Sequence, residues 1–192
     1  MSKQTHIFIG RSGSGKGTQA KLLHEHLEGN GVTVKYIATG QAFRDFIQGE
    51  GYTQKLSKGL MDEGKLQPEF LSVWVWGGEF IAKLEGNEDI ILDGTPRTLS
   101  EAKMLSHALA FYGFTPNVFH LDISHDEAVK RLTLRGRADD KDEKEVEERL
   151  RWFQEDVVPA IEYFKSDDFH NFFEINGVGD EHEIHKTIKE KL

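Results

Sequence analysis

The sequence predicts an α/β fold in which a five-stranded parallel sheet carries helices on both faces, and three observations support that expectation. Five short β-rich runs recur along the chain: His6 to Ile9, Val32 to Ile37, Ile90 to Asp93, Val118 to Asp122 and Phe172 to Ile175. Longer stretches with helical spacing separate them, as the crossovers between parallel neighbours require. At 192 residues, with no internal repeat, low-complexity segment or linker, the chain suits one buried core, so a single domain over 1–192 is expected.

The first run leads into "GRSGSGKGTQ", Gly10 to Gln19, followed by the periodic apolar residues Ala20, Leu23 and Leu27. A strand, then Gly-x4-Gly-Lys, then a helix is the context of a phosphate-binding P-loop, giving a P-loop NTPase-type three-layer fold. Glycines let backbone N–H groups approach phosphate oxygens, and the helix amino terminus adds favourable dipole charge. Gly13, Ser14, Gly15, Lys16, Gly17 and Thr18 are therefore candidate donor-nucleotide residues, with Lys16 reaching the β- and γ-phosphates.

Gly29-Asn30-Gly31 marks the end of the first helix. Between the second and third runs, residues 39–84 leave room for several helices with turns at Gly49-Glu50-Gly51 and Gly64, which reads as an insertion carried on the sheet. Within it "SVWVW" alternates as a strand would but stands where a helix is expected, and packing is the role expected of Trp74 and Trp76. The third run ends on Asp93, whose carboxylate should emerge at the carboxyl edge of the sheet, where open α/β folds bind ligands. Thr98 with Glu101, and Ser124 with Glu127, are capping-box pairs. Beyond Arg131 a basic turn, "RLTLRGR", runs into the acidic "ADDKDEKEVEERL", whose carboxylates suit the positive end of a long helix that Pro159 should kink or interrupt.

The balance of 24 basic and 33 acidic side chains, a net charge of -9, argues against a general nucleic-acid or anionic-membrane surface. With no cysteine, disulfides and thiolate zinc sites are excluded. His182 and His185 stand three apart without a further ligand pair and read as a solvated helix. No apolar run approaches membrane-spanning length, and Met1 to Thr5 lacks a signal-peptide pattern, so a soluble cytoplasmic protein is expected.

The form Gly-Lys-Gly-Thr-Gln, with Gly17 where a hydroxyl residue is usual and Thr18 one place later, resembles the adenylate kinase family of nucleoside monophosphate kinases. Four further stretches match in order: "TGQAFR" at Thr39 to Arg44, "GKLQPE" at Gly64 to Glu69, "DGTPRT" at Asp93 to Thr98, and "RLTLRGRADD" at Arg131 to Asp140, followed by Arg149. The resemblance implies a core of 1–38, 85–130 and 141–192, a helical monophosphate-binding insertion at 39–84 and a short lid at 131–140. It implies transfer of the γ-phosphoryl group of ATP to a nucleoside monophosphate, with Mg2+ held by Thr18 and, through water, by Asp93. Arg131 and Arg135 join the donor site. Lys16, Asp93, Arg97, Arg135, Arg137 and Arg149 form the catalytic set, and Thr39, Gly40, Arg44, Gly94, Arg97, Glu101, Arg137 and Arg149 the acceptor site. Guanidinium forks bridge phosphate oxygens in a geometry that lysine does not reproduce. Short members of the family are usually monomers, so nucleotides are the expected partners.

Three departures qualify the resemblance. Glu101 stands where the family typically carries a glutamine that reads adenine, and two facing acceptors would suit guanine, while Thr39 points back toward AMP. Gln41 replaces the usual aspartate after Thr-Gly, leaving more of the metal handling to Asp93. Gly136 alone separates Arg135 from Arg137, an unusually short lid that should seal the site from water less fully. A GTPase would carry an Asn-Lys-x-Asp motif, which Phe119 to Ser124 does not offer. A nucleotide-binding regulator without turnover stays open as a reading outside catalysis.

Overall fold

A computed structural model describes residues 3–135 and 143–192, with side chains described through 134 and from 146. Strands β1 (Gln4–Ile9), β2 (Val34–Ala38), β3 (Asp89–Asp93), β4 (Thr115–Asp122) and β5 (Asn171–Asn176) pair in parallel in the order β2-β3-β1-β4-β5. The predicted runs all become strands. Val32 falls outside β2 because its N–H closes α1 (Lys16–Gly29), donating to the Leu27 carbonyl at 3.0 Å.

Strand residues alternate between two apolar layers. Ile7, Ile9, Ile90, Leu92 and Val118 face α4 (Glu69–Lys83), α5 (Leu99–Tyr112) and α8 (Val158–Ser166), meeting Trp76, Phe80, Leu105, Leu109 and Phe164. Phe8, Ile91, Phe119, Leu121 and Ile175 face α1 and α9 (Glu181–Lys189), meeting Ala20, Leu23, Ile184 and Ile188. Burial on both faces explains why the strand sequences are continuous apolar runs.

The segment 39–84 holds α2 (Thr39–Phe46), α3 (Tyr52–Asp62) and α4. "SVWVW" is helical despite its alternation. Trp76 is buried as expected, but Trp74 is exposed and its ring sits 5.5 Å from that of Phe46, because a helix turns residues two apart to different sides. The Ser124 hydroxyl caps α6 (His125–Arg135), accepting from the Glu127 N–H at 3.2 Å, while the Glu127 carboxylate turns to Arg131 at 2.7 Å. The long helix is interrupted as predicted: α7 (Glu143–Trp152) passes through a π-helical turn, Phe153–Val157, into α8, with Pro159 in its first turn.

Three histidines, His120, His170 and His185, are held below the ordinary imidazole range by burial. His170, just before β5, packs between α5 and α8, its Nε2 paired with the Ser106 hydroxyl at 2.7 Å and its ring 4.7 Å from that of Phe164. A depressed folded value means the unfolded chain binds more protons below about pH 6.5, so this contribution is complete above that value and lost as pH falls. The thermal midpoint should therefore fall by several degrees between pH 7.5 and pH 5. An unchanged midpoint in a pH series of melting curves would show that these imidazoles are not held neutral.

Candidate active site

The chain leaves β1 toward β2 on one side of the sheet and leaves β3 toward β4 on the other, so the carboxyl ends of β1 and β3 flank a topological switch point. The phosphate loop follows β1, and Asp93 ends β3, in register with Phe8. Gly10 has φ 144°, and a Cβ there would stand 2.4 Å from the Leu121 carbonyl oxygen, so no side chain fits where the loop passes β4. The Lys16 ammonium curls over the loop and donates to the carbonyls of Gly10 at 2.8 Å and Arg11 at 2.6 Å. Phosphate oxygens entering the loop would compete for that ammonium.

An open cleft of about 1460 Å³ is lined by Ser12, Gly13 and the stretch from Gly15 to Thr18, by Lys21, Tyr36, Gly40, Gln41, Arg44, Asp93, Gly94 and Arg97, and by Arg131 and Arg149. Asp93 is the one carboxylate among the described residues lining it. This local concentration of cations on a chain of net charge -9 is what a polyanionic ligand requires. Gly17 takes its reason from Asp93: a Cβ there would stand 3.1 Å from Asp93 Oδ2, so the glycine lets the carboxylate approach the loop that bears Thr18. One carboxylate beside a hydroxyl and a phosphate loop fits a magnesium ion that keeps several waters.

Arg97 is half-buried, as are Arg44, Arg131 and Arg149. Its Nε donates to the Gly94 carbonyl at 2.8 Å, and its head lies 5.7 Å from the centre of the Trp152 ring. Trp152 is anchored in turn, its indole donating to the Gly64 carbonyl at 3.1 Å. Burial pulls the Arg97 pKa down, Glu101 and Asp93 oppose that, and Arg149 and Arg44 add to it. An anion seated among Arg97, Arg44 and Arg149 would relieve that repulsion. Two guanidiniums converge over Gly40, where a Cβ would meet Arg97 Nη2 at 3.6 Å and Arg44 Nη1 at 3.7 Å, and Gly40, Arg44, Arg97 and Arg149 line one pocket.

Thr39 is buried, its hydroxyl donating to the Gly94 carbonyl at 2.9 Å, which ties the start of α2 to the end of β3. Gln41 pairs with its own helix, donating to Asp45 at 2.8 Å and accepting from Arg44 at 3.1 Å. Arg131 is held by Glu127 and reaches the Gly13 carbonyl at 3.4 Å. The side chain of Arg135 and all of Arg137 lie outside the described residues.

Glu101 is 2 % exposed. Its Oε1 accepts from the Ser72 hydroxyl at 2.7 Å, the Trp76 indole at 3.2 Å and the Thr95 hydroxyl, and its Oε2 accepts from the Arg97 N–H at 2.7 Å. The two facing acceptors expected from the sequence are thus not both open to a ligand. Oε1 is saturated by three donors, and Oε2 keeps one lone pair. Beside it a small pocket is lined by Phe43, Leu66, Gln67, Glu69, Ser72 and Thr98.

Sequence reasoning missed Trp152, although it stands three residues after Arg149 on one helix face. It also missed a second opening of about 710 Å³ between Ser14, Thr18, Arg131 and the turn after β5, lined by Gly177, Gly179, Asp180 and Glu181. Gln19 pins that turn, donating to the Glu181 carbonyl at 2.8 Å, and a Cβ on Gly177 would collide with Ile123 at 2.9 Å. Only the glycine spacing hinted at it.

Comparisons with known proteins point to one family. The family model described as Adenylate kinase matches residues 8–169. The chain is 32% identical over 191 residues to an adenylate kinase of Flavobacterium psychrophilum, covering 97% of this chain and 96% of the relative. It is 34% identical over 193 residues to an adenylate kinase of Prochlorococcus marinus, covering 99% of each, and 33% identical over 187 residues to adenylate kinase 1 of a Nostoc strain, covering 97% of each.

Proposed function

Because the chain belongs to the adenylate kinase family of phosphotransferases, we propose that it transfers the γ-phosphoryl group of ATP to AMP, forming two ADP. The observation that carries this reading is the single cleft in which the phosphate loop and Lys16 face the Arg44, Arg97 and Arg149 guanidiniums. Donor phosphates lie on the loop amides and Lys16, with Arg131 at their flank and the donor base against the turn at 177–181. The acceptor phosphate lies above Gly40 and Gly94, between Arg97, Arg44 and Arg149. Thr18 and, through water, Asp93 would hold Mg2+, which would neutralise charge developing on the transferring group. The chain's own part is to align acceptor and γ-phosphate in line and surround both with cations, so no covalent intermediate on the protein is involved.

AMP is favoured over GMP by the state of Glu101. Guanine offers two neighbouring N–H groups, and only one lone pair of Oε2 is left to receive them, whereas the adenine amino group needs a single acceptor. The relatives cited above also carry the name adenylate kinase. Rates of ADP formation with AMP, GMP, CMP and UMP at one concentration of ATP and Mg2+ test the proposal. AMP should lead GMP by orders of magnitude. Equal or faster use of GMP would overturn the adenine reading, and transfer to none of them would favour a regulator.

No helix among the described residues is long and apolar enough to cross a membrane.

A further inference from the structure

Asp93 has a protein partner that neither the sequence nor the catalytic reading anticipates. The Tyr36 hydroxyl donates to Asp93 Oδ2 at 3.2 Å across the join between β2 and β3. Register explains how it reaches. Tyr36 lies beside Ile91, two residues before Asp93 on the same face, a diagonal that only a long side chain spans. The ring is held from behind by His24 of α1, at 5.5 Å between centres. On the opposite side Asp93 Oδ2 lies against Gly17. One carboxylate oxygen is therefore bracketed between a phenol and the phosphate loop, and the other is left for the cleft.

Gln41 provides the reason this matters. It lines the same cleft, but its amide is engaged with Asp45 and Arg44 and it carries no charge. Asp93 is thus the one described carboxylate lining the cleft, and its orientation rests on few contacts.

Resting on the kinase reading for what the cleft holds, we propose that Tyr36 is a positioning residue that fixes the Asp93 carboxylate toward the donor phosphates and so sets the affinity for the divalent cation. Groups that orient a metal-holding carboxylate typically change metal affinity by 10–100-fold when removed. The test is Tyr36→Phe, which keeps the ring and its packing and deletes only the hydroxyl. Mn2+ binding to the complex with a non-hydrolysable ATP analogue, followed by water-proton relaxation, should weaken about tenfold. In steady state the Mg2+ concentration for half-maximal turnover should rise by a similar factor, with turnover recovered at high Mg2+ and the KM for acceptor little changed. Unchanged Mn2+ binding overturns the proposal, as does a loss of turnover that high Mg2+ fails to rescue. The relaxation measurement needs no acceptor, so it remains decisive even if the wild-type protein proves not to phosphorylate AMP.

Discussion

Turnover of Arg97→Ala is expected to fall by about 10^3-fold or more while the protein remains folded, since an arginine that meets transition-state charge contributes ~10^3 to 10^5 in rate. The size of the effect follows from enclosure. Arg97 is half-buried beside Trp152, tied to the Gly94 carbonyl and set near Arg44 and Arg149, so water screens its charge less than at an open surface. Removing it relieves repulsion among the neighbouring guanidiniums, which argues against collapse of the fold. Arg97→Lys should recover only a small part of the rate, because an ammonium cannot bridge two phosphate oxygens as a guanidinium does. Steady-state rates with AMP and ATP, read beside melting curves, check both statements. A variant within about tenfold of wild type would remove Arg97 from the transferring group, given the ~10^3 expected.

The second large effect concerns Glu101. Glu101→Gln, which introduces the glutamine typical of the family, is expected to harm this protein. The carboxylate receives four protein donors, three on Oε1 and the Arg97 N–H on Oε2. An amide must turn an NH2 group toward one of them, and donor would then face donor at a buried site. The cost is about 1–3 kcal/mol for a buried group left unpaired. Because the Arg97 backbone is the partner displaced, the acceptor KM should rise as stability drops. A glutamine variant with tighter AMP use and unchanged stability would show that an amide fits among these four donors without stranding any of them. Glu101→Ala, which strands all four donors, should lose more stability than the glutamine variant. Urea unfolding midpoints of the two variants rank these costs.

The parts legible in the sequence are those whose chemistry is local. Gly10 to Thr18 announced a phosphate loop because backbone conformation and helix dipole act within a few residues, and the structure places that loop beside the predicted Asp93. Ser124 and Thr98 were readable as caps for the same reason, since each accepts from an N–H three residues on. Trp74 is exposed where packing is expected, because in a helix two tryptophans two residues apart cannot both face the core, and only tertiary packing selects Trp76.

By itself the sequence determined the order of strands and helices, the place of the phosphate loop, the carboxylate after the third strand and the arginines available to meet phosphate. Only the tertiary structure decided what those groups touch. Trp152 braces Arg97 through a bond to Gly64 that spans 88 residues, Tyr36 reaches Asp93 across 57, and Glu101 turns inward to donors on another helix. Hydrogen-bond capacity is a property of the residue, but its allocation depends on which partners the packed core brings within about 3 Å, and no local pattern encodes that.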